Sequence, residues 1–540
     1  MNDKQYITFS IDGHDANVCA YSSKTNKFLH LELERIFGKR YFSLDDFLKT
    51  DDKVYILSYI KSILIDYGFE EKFELASLIR STDTKGLGGT EKNINLIKSV
   101  FDISEFVFFN HHECHAANAF YSSKFESALI FSFDGFGNDG NLCVFSADKN
   151  KLTQINPYTL TVMTELYAYT GNYISEIKKN ENPYINQIAN SGKIMGLSAY
   201  GNLDTGMYNS LYNFLKNNFY GNDLVEKYKP FLFRQDHLKK IIGGNFEEFS
   251  NQQSANLAYN MQLAFENTFI EYFQNYFDPK IHKNVCLSGG GALNVLLNDR
   301  LAKIYPSTNF YVSSSPNDCG LSYGAMCLLT NSSVVEETMY SGCPLLDEEI
   351  LPHILMYRSW KSTDIKKIAL DLYNGKIIGL CRGQSEVGPR ALGNRSILAN
   401  PCNHNMKDII NKRIKFREWF RPFAPICCED DVSKFFNTNK NVNYKYMTFS
   451  PTVIESCRKL LPAITHIDGS SRLQTINYNQ NPYLYESLKE FEKLSGFPIL
   501  INTSFNIKGK PILTHYQAAI QNLDTVDLDG LILDEYYITK

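Results

Sequence analysis

Two short apolar segments that each contain an Asp-Gly pair restrict the fold of this sequence more than any other feature. The first reads YITFSIDGHDA (residues 6–16) and the second reads ALIFSFDGFGNDGNLCVFS (residues 128–146). In each segment an apolar β-rich run leads to Asp-Gly and a second β-rich run follows, which is typical of a hairpin. Because this plan opens two successive regions, we predict a duplicated α/β fold with a nucleotide or substrate between its halves.

The length of the chain requires more than one domain. A chain of 540 residues is too long for one hydrophobic core, so we expect two or three domains. The composition shifts over residues 335–358, where acidic residues, Gly and Pro occur without strong periodicity, and a new α/β pattern follows. We therefore predict one domain at 1–345 and another at 346–540.

Composition excludes several classes of protein. Hydrophobic content of 44% and charged content of 21% are globular values. The first residues lack the basic and then apolar pattern of a secretory signal, and no apolar run approaches the ~18 residues of a membrane span. Twelve scattered cysteines are typical of free thiols, and a net charge of −4 gives no reason to expect nucleic acid. We expect a cytoplasmic protein that binds neither a membrane nor nucleic acid.

A pair of histidines in HHECHAANAF is a candidate metal site. On a helix, His111 and His115 lie on one face, one turn apart, so both can bind the same cation. The segment is not the H-E-x-x-H of a zinc protease, and taken alone such a pair is more often structural. Asp134 is a third candidate ligand, and Asp318 is either a fourth ligand or a helix cap. Such a set suits Fe(II), Mn(II) or Zn(II).

A glycine-rich turn is a candidate nucleotide contact. The segment LSGGGALN places Gly289, Gly290 and Gly291 between a predicted strand and a predicted helix. Backbone can approach a phosphate or adenine there, and a helix N-terminus favours negative charge. The segment is neither G-x-G-x-x-G nor a Walker A motif, so a tight turn explains it equally well on these grounds.

The densest chemical signal is a group of basic residues in RGQSEVGPRALGNRSILANP (382–401) and NKRIKFREWFRPFAP (411–425). The arginines are separated by Gly, Pro and aromatic residues and lack the spacing of a solvated helix face. Arg390 and Arg395 lie among small and apolar residues, where a charge must be paired. Since guanidinium groups bind phosphate bidentately, we interpret this region as a phosphate site.

Polar residues follow an apolar run near the C-terminus, in FPILINTSFNIKGKPI. Ligands bind at the strand ends of open α/β sheets, so this end of the predicted strand is a candidate site. Upstream, THIDGSSRLQT adds an ionisable ring, a carboxylate and a further anion anchor. The candidate residues of the two segments are His466, Asp468, Arg472, Asn502, Thr503, Ser504 and Asn506.

The order and content of these segments resemble one protein family. The relevant motifs are HHECHAANAF, FDGFGNDG, SGKIMGLSAYG, LSGGGALN, PNDCGLSYGA, GPRALGNRSILANP, KFREWFRPFAP, HIDGSSRLQT and NTSFN. Over residues 6–535 they are similar to the NodU/CmcH-type carbamoyltransferases, which include the tobramycin and nodulation-factor enzymes. The resemblance implies a duplicated actin/sugar-kinase (ASKHA)-like N-terminal domain and a YrdC-like α/β C-terminal domain.

The resemblance also implies a two-step, ATP-dependent O-carbamoyltransferase. In the family, the YrdC-like domain converts carbamoyl phosphate and ATP to carbamoyl-adenylate, and the N-terminal domain transfers the carbamoyl group to an acceptor hydroxyl. The implied cofactors are Mg2+ with ATP and a divalent metal in the N-terminal domain, where Fe2+ is favoured and Mn2+ or Zn2+ are alternatives. We expect a sugar-like or natural-product acceptor, and a homodimer is one possible oligomeric state.

Particular residues receive roles from the same resemblance. The family's metal ligands fall on His111, His115, Asp134 and Asp318. Its adenylate-binding loop falls on Lys193, Gly196, Gly289, Gly290 and Asn294. Its acceptor-site histidine falls on His14, which we expect to act as the base, oriented by Asp15 or Asp12. We expect the phosphate oxygens to be neutralised by Arg390, Lys415, Arg417, Arg421 and Arg472. Further cofactor contacts are expected from Arg395, His466, Asn502, Thr503, Ser504 and Asn506.

Two positions depart from the family's N-T-S-F-N-x-R-G-E-P pattern. Lys508 keeps a positive charge but loses the planar fork of arginine, and Lys510 reverses a charge. Residues 202–250 match no family feature, and we expect them to shape the acceptor pocket.

Two other functional classes stay open at this point. A small-molecule kinase of the actin/sugar-kinase fold would turn over ATP without carbamoyl phosphate, and it leaves the arginine-rich region unexplained. A non-catalytic nucleotide-binding module would bind ATP and release no product. Modification of tRNA is conceivable from the fold alone, but a fold does not determine a substrate.

Overall fold

The computed structural model describes residues 4–79, 88–157, 159–177, 183–220, 235–243, 249–335 and 339–539. The strands are β1 (Gln5–Ser10), β2 (Asn17–Ser22), β3 (Lys27–Glu32), β4 (Lys72–Ile79), β5 (Asp102–Phe109), β6 (Ser127–Gly137), β7 (Gly140–Asp148), β8 (Lys151–Gln154), β9 (Leu160–Thr161), β10 (Phe219–Tyr220), β11 (Asn284–Ser288), β12 (Asn309–Val312), β13 (Trp360–Ser362), β14 (Ile378–Cys381), β15 (Arg395–Ala399), β16 (Ala424–Cys428), β17 (Gln474–Ile476), β18 (Ile499–Ser504), β19 (Gly530–Leu533) and β20 (Tyr536–Thr539). The α-helices span Leu33–Ile36, Thr50–Asp66, Gly88–Lys98, His111–Ser123, Met163–Thr170, Pro183–Ser198, Thr205–Asn217, Gln235–Ile242, Asn251–Gln274, Val295–Ile304, Leu321–Thr330, Leu351–Tyr357, Ile365–Tyr373, Met406–Ile410, Glu455–Arg458, Pro482–Ser495 and Tyr516–Thr525.

Two five-stranded sheets of identical topology form the first part of the chain. Their strand orders are β3-β2-β1-β4-β5 and β8-β7-β6-β11-β12. In each sheet the first three strands in chain order pair antiparallel with their neighbours. The fourth strand pairs parallel with the first, and the fifth pairs parallel with the fourth. Parallel strands need a crossover connection, and helices provide it in both halves. The predicted duplicated α/β architecture is therefore confirmed.

The two Asp-Gly segments differ in detail from the predicted hairpins. After β1 the chain makes a wider connection, in which Gly13 and Asp15 have φ values of 77° and 56°. In the second segment the predicted turn at Asp134-Gly135 is wrong, because β6 continues through these residues to Gly137. The pairing register of β6 shifts between Phe133 and Gly137, and β7 begins at Gly140. This irregularity leaves Asp134 in a strand and beside the glycine-rich turn.

The C-terminal part of the chain forms an eight-stranded mixed sheet with the order β13-β20-β19-β14-β15-β18-β16-β17. It is the second α/β unit that the resemblance implies. One buried apolar cluster runs from the second five-stranded sheet into this unit, and it includes Phe131, Phe269, Phe310, Phe420 and Ile501. The two units thus share a core, because residues of both belong to this one cluster.

Backbone pairing also ties the C-terminal unit to both halves of the duplicated unit. His30 of β3 forms a parallel bridge with Gly342, and Leu346 forms one with His515. In the other half, the backbone N–H of Phe310 donates to the carbonyl of Asn441 at 2.9 Å. The predicted division at residues 345 and 346 stays a prediction, and it falls within this bridging segment.

Within the described ranges, none of the helices has the length and apolar character needed to cross a bilayer. The stretch 202–250, which we expected to shape the acceptor pocket, lies partly outside the described residues. Its described part includes the helix Thr205–Asn217, whose buried Leu211 and Leu215 lie in the shared apolar cluster.

Candidate active site

A cavity of about 1800 Å3 lies between the duplicated unit and the C-terminal unit. Most of the predicted site residues line this cavity, although they are far apart in the sequence. From the duplicated unit the cavity receives His14, His111, Asp134, Lys193, Gly196, Gly290, Asn294 and Asp318. From the C-terminal unit it receives Arg390, Lys415, Arg417, Arg421, His466, Arg472, Asn502, Thr503, Ser504 and Asn506. Both sets of predicted residues therefore face one shared space.

The helix His111–Ser123 begins beside the cavity. Several polar side chains cap its first turn, which explains why the helix starts at His111. Asn110 is the N-cap, and Asn110 and Glu113 form a capping box. Asn138 accepts a hydrogen bond from the backbone N–H of His111 at 2.9 Å, and Asp139 accepts one from the N–H of His112 at 3.0 Å. The connection between β6 and β7 thus orients the helix that presents the histidines.

Four side chains converge at this helix. The Nε2 atoms of His111 and His115 lie 3.1 Å apart, and His115 Nε2 lies 2.9 Å from Asp134 Oδ2. Asp318 Oδ1 lies 3.3 Å from His115 Nε2 and 3.6 Å from His111 Nε2. One potential ligand atom from each residue lies within 4.8 Å of the other three. These four residues form a group that can hold a metal ion.

The electrostatics of this group fit a cation. Burial by itself would lower the pKa of His115, but Asp134 and Asp318 raise it to about 9. Burial would raise the pKa of Asp134, and the two histidines hold it well below its ordinary value instead. Asp318 Oδ1 is buried and has no hydrogen-bond partner among the described residues. Two imidazoles and two carboxylates are a donor set that divalent iron, manganese and zinc accept, so these residues fit the predicted metal.

His112, between the two candidate ligands, has a structural role. Its Nδ1 lies 2.6 Å from Ser132 Oγ, and its Nε2 lies 3.1 Å from the carbonyl oxygen of Gly140. Burial lowers the pKa of His112 to about 4, so the ring is neutral at physiological pH. Both ring nitrogens are occupied by protein atoms, which explains why this histidine does not face the cavity.

His14 lies beside the metal-binding group. Its Nδ1 is 3.1 Å from Asp15 Oδ2, and its Nε2 is 3.7 Å from Asp318 Oδ2. Asp15 rather than Asp12 therefore orients the ring, because Asp12 accepts hydrogen bonds from Asn93 instead. Burial would lower the pKa of His14, but Asp318 and Asp15 raise it to about 10. A cation held by Asp318 would oppose this rise in the pKa, and the neutral ring is the form that can act as a base.

The glycine-rich turn brings the backbone close to the candidate metal group. Gly289 has a φ of 83°, and a Cβ at this residue would lie 2.2 Å from the carbonyl oxygen of Phe133. A Cβ at Gly290 would lie 2.9 Å from Asp134 Oδ1. Asn294 caps the helix Val295–Ile304 by accepting from the N–H of Leu297 at 3.1 Å. A side chain at Gly289 or Gly290 would collide with these atoms, which explains why both residues are glycine. Gly289 itself does not line the cavity.

Cationic side chains from the C-terminal unit cluster on the opposite wall. Arg390 and Arg472 are partly buried, and the Nε atom of each has no hydrogen-bond partner among the described residues. Burial lowers the pKa of Arg390 to about 10, with a contribution from Arg421. Burial and the neighbouring Arg390 lower the pKa of Arg472 well below its ordinary value. The cluster thus places like charges close together in partly buried surroundings.

Lys415 and Arg417 are held by the protein around this cluster. The Nζ of Lys415 donates to the carbonyl oxygen of Ser504 and to Asn506 Oδ1, the latter at 2.9 Å. Arg417 Nε donates to Asn411 Oδ1 at 2.7 Å, and its guanidinium lies over the ring of Phe423. Burial lowers the pKa of both cations well below their ordinary values.

Glu418 supplies a negative charge within the cluster. Its carboxylate lies 3.4 Å from Lys193 Nζ and 3.6 Å from Arg421 Nη1. In the described part of the chain, it is the acidic side chain that forms ion pairs with the predicted phosphate-binding cations. Five cations from the C-terminal unit therefore line the cavity together with this carboxylate. An anionic ligand would compensate this excess of buried positive charge.

Arg395 is placed differently from the prediction. Its side chain is fully buried, and the guanidinium donates to the carbonyl oxygens of Arg382, Gly383 and Asn394. Arg395 does not line the cavity. Backbone carbonyls use its donors, so the structure favours a role in holding the loop together rather than in binding a cofactor.

The remaining predicted polar residues lie at the cavity wall. Asn502 donates to Gln474 Oε1 at 2.7 Å, and its Oδ1 has no hydrogen-bond partner among the described residues. Ser504 donates to Asn506 Oδ1 at 2.7 Å. The ring of His466 packs edge-on against Tyr200, with 5.5 Å between ring centroids. These side chains are positioned to contact a ligand but are already organised by neighbours.

Sequence reasoning missed several residues that shape the site. Asn138 and Asp139 orient the histidine helix, and Glu418 pairs with two cations. Glu32 and Arg35 contact the arginine-rich loop from the first sheet. An acidic residue between two arginines, as in REWFR, was a visible signal for Glu418. The other contacts join distant parts of the chain, and no local pattern marks them.

Family models for the two parts of a carbamoyltransferase match this chain. The model described as Carbamoyltransferase N-terminus matches residues 48–327, and the model described as Carbamoyltransferase C-terminus matches residues 369–540. The chain belongs to the carbamoyltransferase family. The cavity described above is thus formed jointly by the two parts that define this family, which confirms the predicted resemblance.

Three curated nodulation proteins are similar to this chain over most of its length. Nodulation protein NolNO of Sinorhizobium fredii is 34% identical over 81% of this chain and 65% of its own length. Nodulation protein NolO of Bradyrhizobium diazoefficiens is 32% identical over 80% of this chain and 79% of its own length. Nodulation protein U of the same organism is 27% identical over 98% of this chain and 97% of its own length. The chain spans just under two thirds of NolNO.

Solved structures with weaker similarity include two HypF proteins. Full-length HypF in a phosphate- and nucleotide-bound form is 11% identical, with a TM-score of 0.34 over 61% of this chain and 47% of that chain. HypF of T. kodakarensis is 15% identical, with a TM-score of 0.33 over 61% of this chain and 48% of that chain.

Proposed function

We propose that this carbamoyltransferase-family protein is an ATP-dependent O-carbamoyltransferase that activates and transfers the carbamoyl group within one cavity. The observation that carries the proposal is the shared space between the two predicted half-sites. The cationic cluster lines the same cavity of about 1800 Å3 as His111, Asp134 and Asp318. An intermediate formed against one wall is therefore accessible to groups on the other wall.

The first step joins carbamate to AMP. Water releases inorganic phosphate from carbamoyl phosphate, and one oxygen of the resulting carbamate attacks the α-phosphorus of ATP. The bond from that phosphorus to pyrophosphate breaks, which yields carbamoyl-adenylate. The phosphate oxygens accumulate negative charge, and Arg390, Lys415 and Arg472 lie where they would neutralise it. Carbamate needs this activation because its oxygen is otherwise a poor leaving group. Mg2+ would accompany ATP in this step.

The second step transfers the carbamoyl group to an acceptor. The acceptor hydroxyl attacks the carbamoyl carbon, the bond to the AMP oxygen breaks, and AMP leaves. His14, held by Asp15 at 3.1 Å, is the residue positioned to take the acceptor's proton. His111, His115, Asp134 and Asp318 would hold a divalent metal. When bound, the metal supplies Lewis-acid stabilisation of negative oxygens.

The acceptor is a small molecule with a hydroxyl group, for which a sugar or polyol is the proposed class. We propose adenylate contacts from the glycine-rich turn, Lys193, Gly196 and Asn294, and phosphate or carbamoyl contacts from the strand end at Asn502–Asn506. Arg395 is not part of this proposal, because its guanidinium is occupied by backbone carbonyls.

The test gives the purified protein ATP, Mg2+ and carbamoyl phosphate without an acceptor. We expect equal amounts of pyrophosphate and inorganic phosphate, together with a carbamoyl-adenylate detected by mass spectrometry. A parallel reaction without carbamoyl phosphate separates this activity from a kinase or ATPase, because ATP turnover there would contradict the proposal. ATP binding with no product under either condition would favour a non-catalytic module instead.

A further inference from the structure

Arg35 of the duplicated unit lies across the loop that leads to Arg390. It follows β3, and only 3% of its side chain is exposed. Its Nη1 donates to the carbonyl oxygen of Glu386 at 2.7 Å, and its Nη2 donates to the carbonyl oxygen of Gly388. A guanidinium from one structural unit thus binds two backbone carbonyls, two residues apart, in the other.

Glu32 completes this contact. Arg35 Nε lies 2.6 Å from Glu32 Oε2, and the second carboxylate oxygen of Glu32 accepts the backbone N–H of Gly388 at 3.2 Å. Gly388 therefore donates to Glu32 and accepts from Arg35, which closes a ring of contacts. Taking both charges out of water is costly, so such a pair is weak evidence of stabilisation. Its geometry instead specifies where Gly388 lies.

The other side of Gly388 contacts the segment that leads to Asp318. Gly388 has a φ of 109°, and a Cβ there would lie 2.0 Å from the carbonyl oxygen of Ser314. The loop is therefore enclosed between the Glu32–Arg35 pair and the backbone before a candidate metal ligand. Arg390 follows two residues later and lines the cavity.

We propose that Glu32 and Arg35 are positioning residues for Arg390 in the activation of carbamoyl phosphate. They act from the duplicated unit, through the backbone of Glu386 and Gly388, on a cation of the C-terminal unit. The inference rests on the proposed function, because Arg390 is assigned its phosphate contact there. Neither Glu32 nor Arg35 contacts the reacting atoms in this assignment.

A double-mutant cycle tests the assignment. The variants are Arg35→Gln, Arg390→Gln and the double variant, assayed for carbamoyl phosphate-dependent pyrophosphate release. Misplacement of a binding group by about 1 Å can cost on the order of a hundredfold in rate, so we expect each single variant to lose about that factor in kcat/KM. The double variant should be within about threefold of Arg390→Gln, because both changes remove one function. Losses that multiply in the double variant would overturn the inference.

Further variants separate positioning from folding. Arg35→Lys keeps a charge beside Glu32 but cannot reach both carbonyls. Glu32→Gln replaces the charged acceptor of the Gly388 N–H with a neutral amide oxygen. Both variants should therefore give smaller, non-additive losses. The matched control is Arg300→Gln, which breaks the Arg300–Glu266 pair at 2.7 Å elsewhere in the duplicated unit. If Arg300→Gln loses as much activity as Arg35→Gln, the inference fails. If Arg35→Gln does not fold, Arg35→Lys enters the same cycle.

Binding of inorganic pyrophosphate, measured by calorimetry, distinguishes a failure of the proposed function from a failure of the positioning role. Wild-type protein that binds pyrophosphate but releases none from ATP refutes the proposed function. The positioning of Arg390 is then judged by whether Arg35→Gln and Arg390→Gln weaken pyrophosphate binding without additivity. Unchanged binding in Arg35→Gln, beside weakened binding in Arg390→Gln, would overturn the positioning role.

Discussion

The Nζ of Lys193 lies 3.4 Å from Glu418 Oε1, so an ion pair joins the helix Pro183–Ser198 to the arginine-rich segment across the cavity. The exposed fractions of the two side chains are 10% and 4%. Arg421 contacts the other carboxylate oxygen at 3.6 Å. A single buried acidic residue therefore links both units of the protein at the site itself.

Replacing this carboxylate should destabilise the protein. In Glu418→Gln, Lys193 and Arg421 lose their charged partner, and breaking a buried pair costs about 3 kcal/mol or more. We expect a lower midpoint of thermal unfolding, measured by scanning calorimetry. Glu271→Gln is the control, since it breaks the exposed Lys216–Glu271 pair at 2.8 Å, for which about 1 kcal/mol or less is expected. Equal shifts in the two variants would contradict the prediction.

Replacing His14 should separate the two reaction steps. His14→Gln removes the proposed base but leaves the cationic cluster intact. We expect transfer to an acceptor to fall by about 10²- to 10⁴-fold, while pyrophosphate release without acceptor stays near the wild-type rate. Both rates are measured on one preparation of each variant. Undiminished transfer would show that another group takes the proton.

Metal content should depend on the four converging side chains. We expect His115→Ala and Asp318→Asn to lose most of the bound metal, as measured by elemental analysis, because each removes one of four ligands. His404→Ala, which changes an exposed histidine, should retain it. Wild-type protein treated with a chelator and then dialysed into buffer with Mg2+ should form carbamoyl-adenylate but not transfer the carbamoyl group. Reconstitution with Fe2+, Mn2+ or Zn2+ would identify the effective ion. Full metal content in both ligand variants would exclude this site.

Removing one cation of the cluster should impair activation. Arg472→Gln takes away a guanidinium whose Nε has no partner among the described residues, and loss of one such stabilising group costs about 10²- to 10³-fold. Pyrophosphate release is the measurement. Arg413→Gln is the matched control in the same region, because Arg413 pairs with Asp527 at the surface. A similar loss in the control would contradict a specific role for Arg472.

Restoring the family's arginine at position 508 should strengthen anion binding. Lys508 lines the cavity and offers a point charge, whereas arginine binds phosphate through two parallel N–H donors. We expect Lys508→Arg to lower the KM for carbamoyl phosphate about two- to tenfold. Lys440→Arg, at an exposed position, should leave KM unchanged. An increase in KM for Lys508→Arg would indicate that this chain is adapted to the smaller cation.

Local patterns in the sequence were sufficient to predict much of this arrangement. The i, i+4 spacing of His111 and His115 placed both rings on one helix face, and the repeated Asp-Gly segments indicated the duplication. The turn at Asp134-Gly135 was mispredicted because Asn138 and Asp139 form the reversal instead. The sequence context of Arg395 does not reveal that its guanidinium donates to backbone carbonyls.

Contacts between distant segments account for the rest. Gly388 contacts Glu32, more than 350 residues earlier in the chain, and no periodicity or motif encodes that distance. Glu418 pairs with Lys193 only because the fold brings two units together. Such pairings depend on how sheets and helices dock, so they become visible once the tertiary structure is known.

Backbone pairing joins His30 of one lobe to Gly342 in the segment before the C-terminal unit, and Phe310 of the other lobe to Asn441 within that unit. Enzymes built from two such lobes commonly close on their substrates by swinging about a hinge. Here the C-terminal unit and the segment before it pair with both lobes. A wide opening would therefore break backbone hydrogen bonds on at least one side. We expect substrates to enter by rearrangement of side chains and short loops at the rim, with the lobes themselves almost stationary.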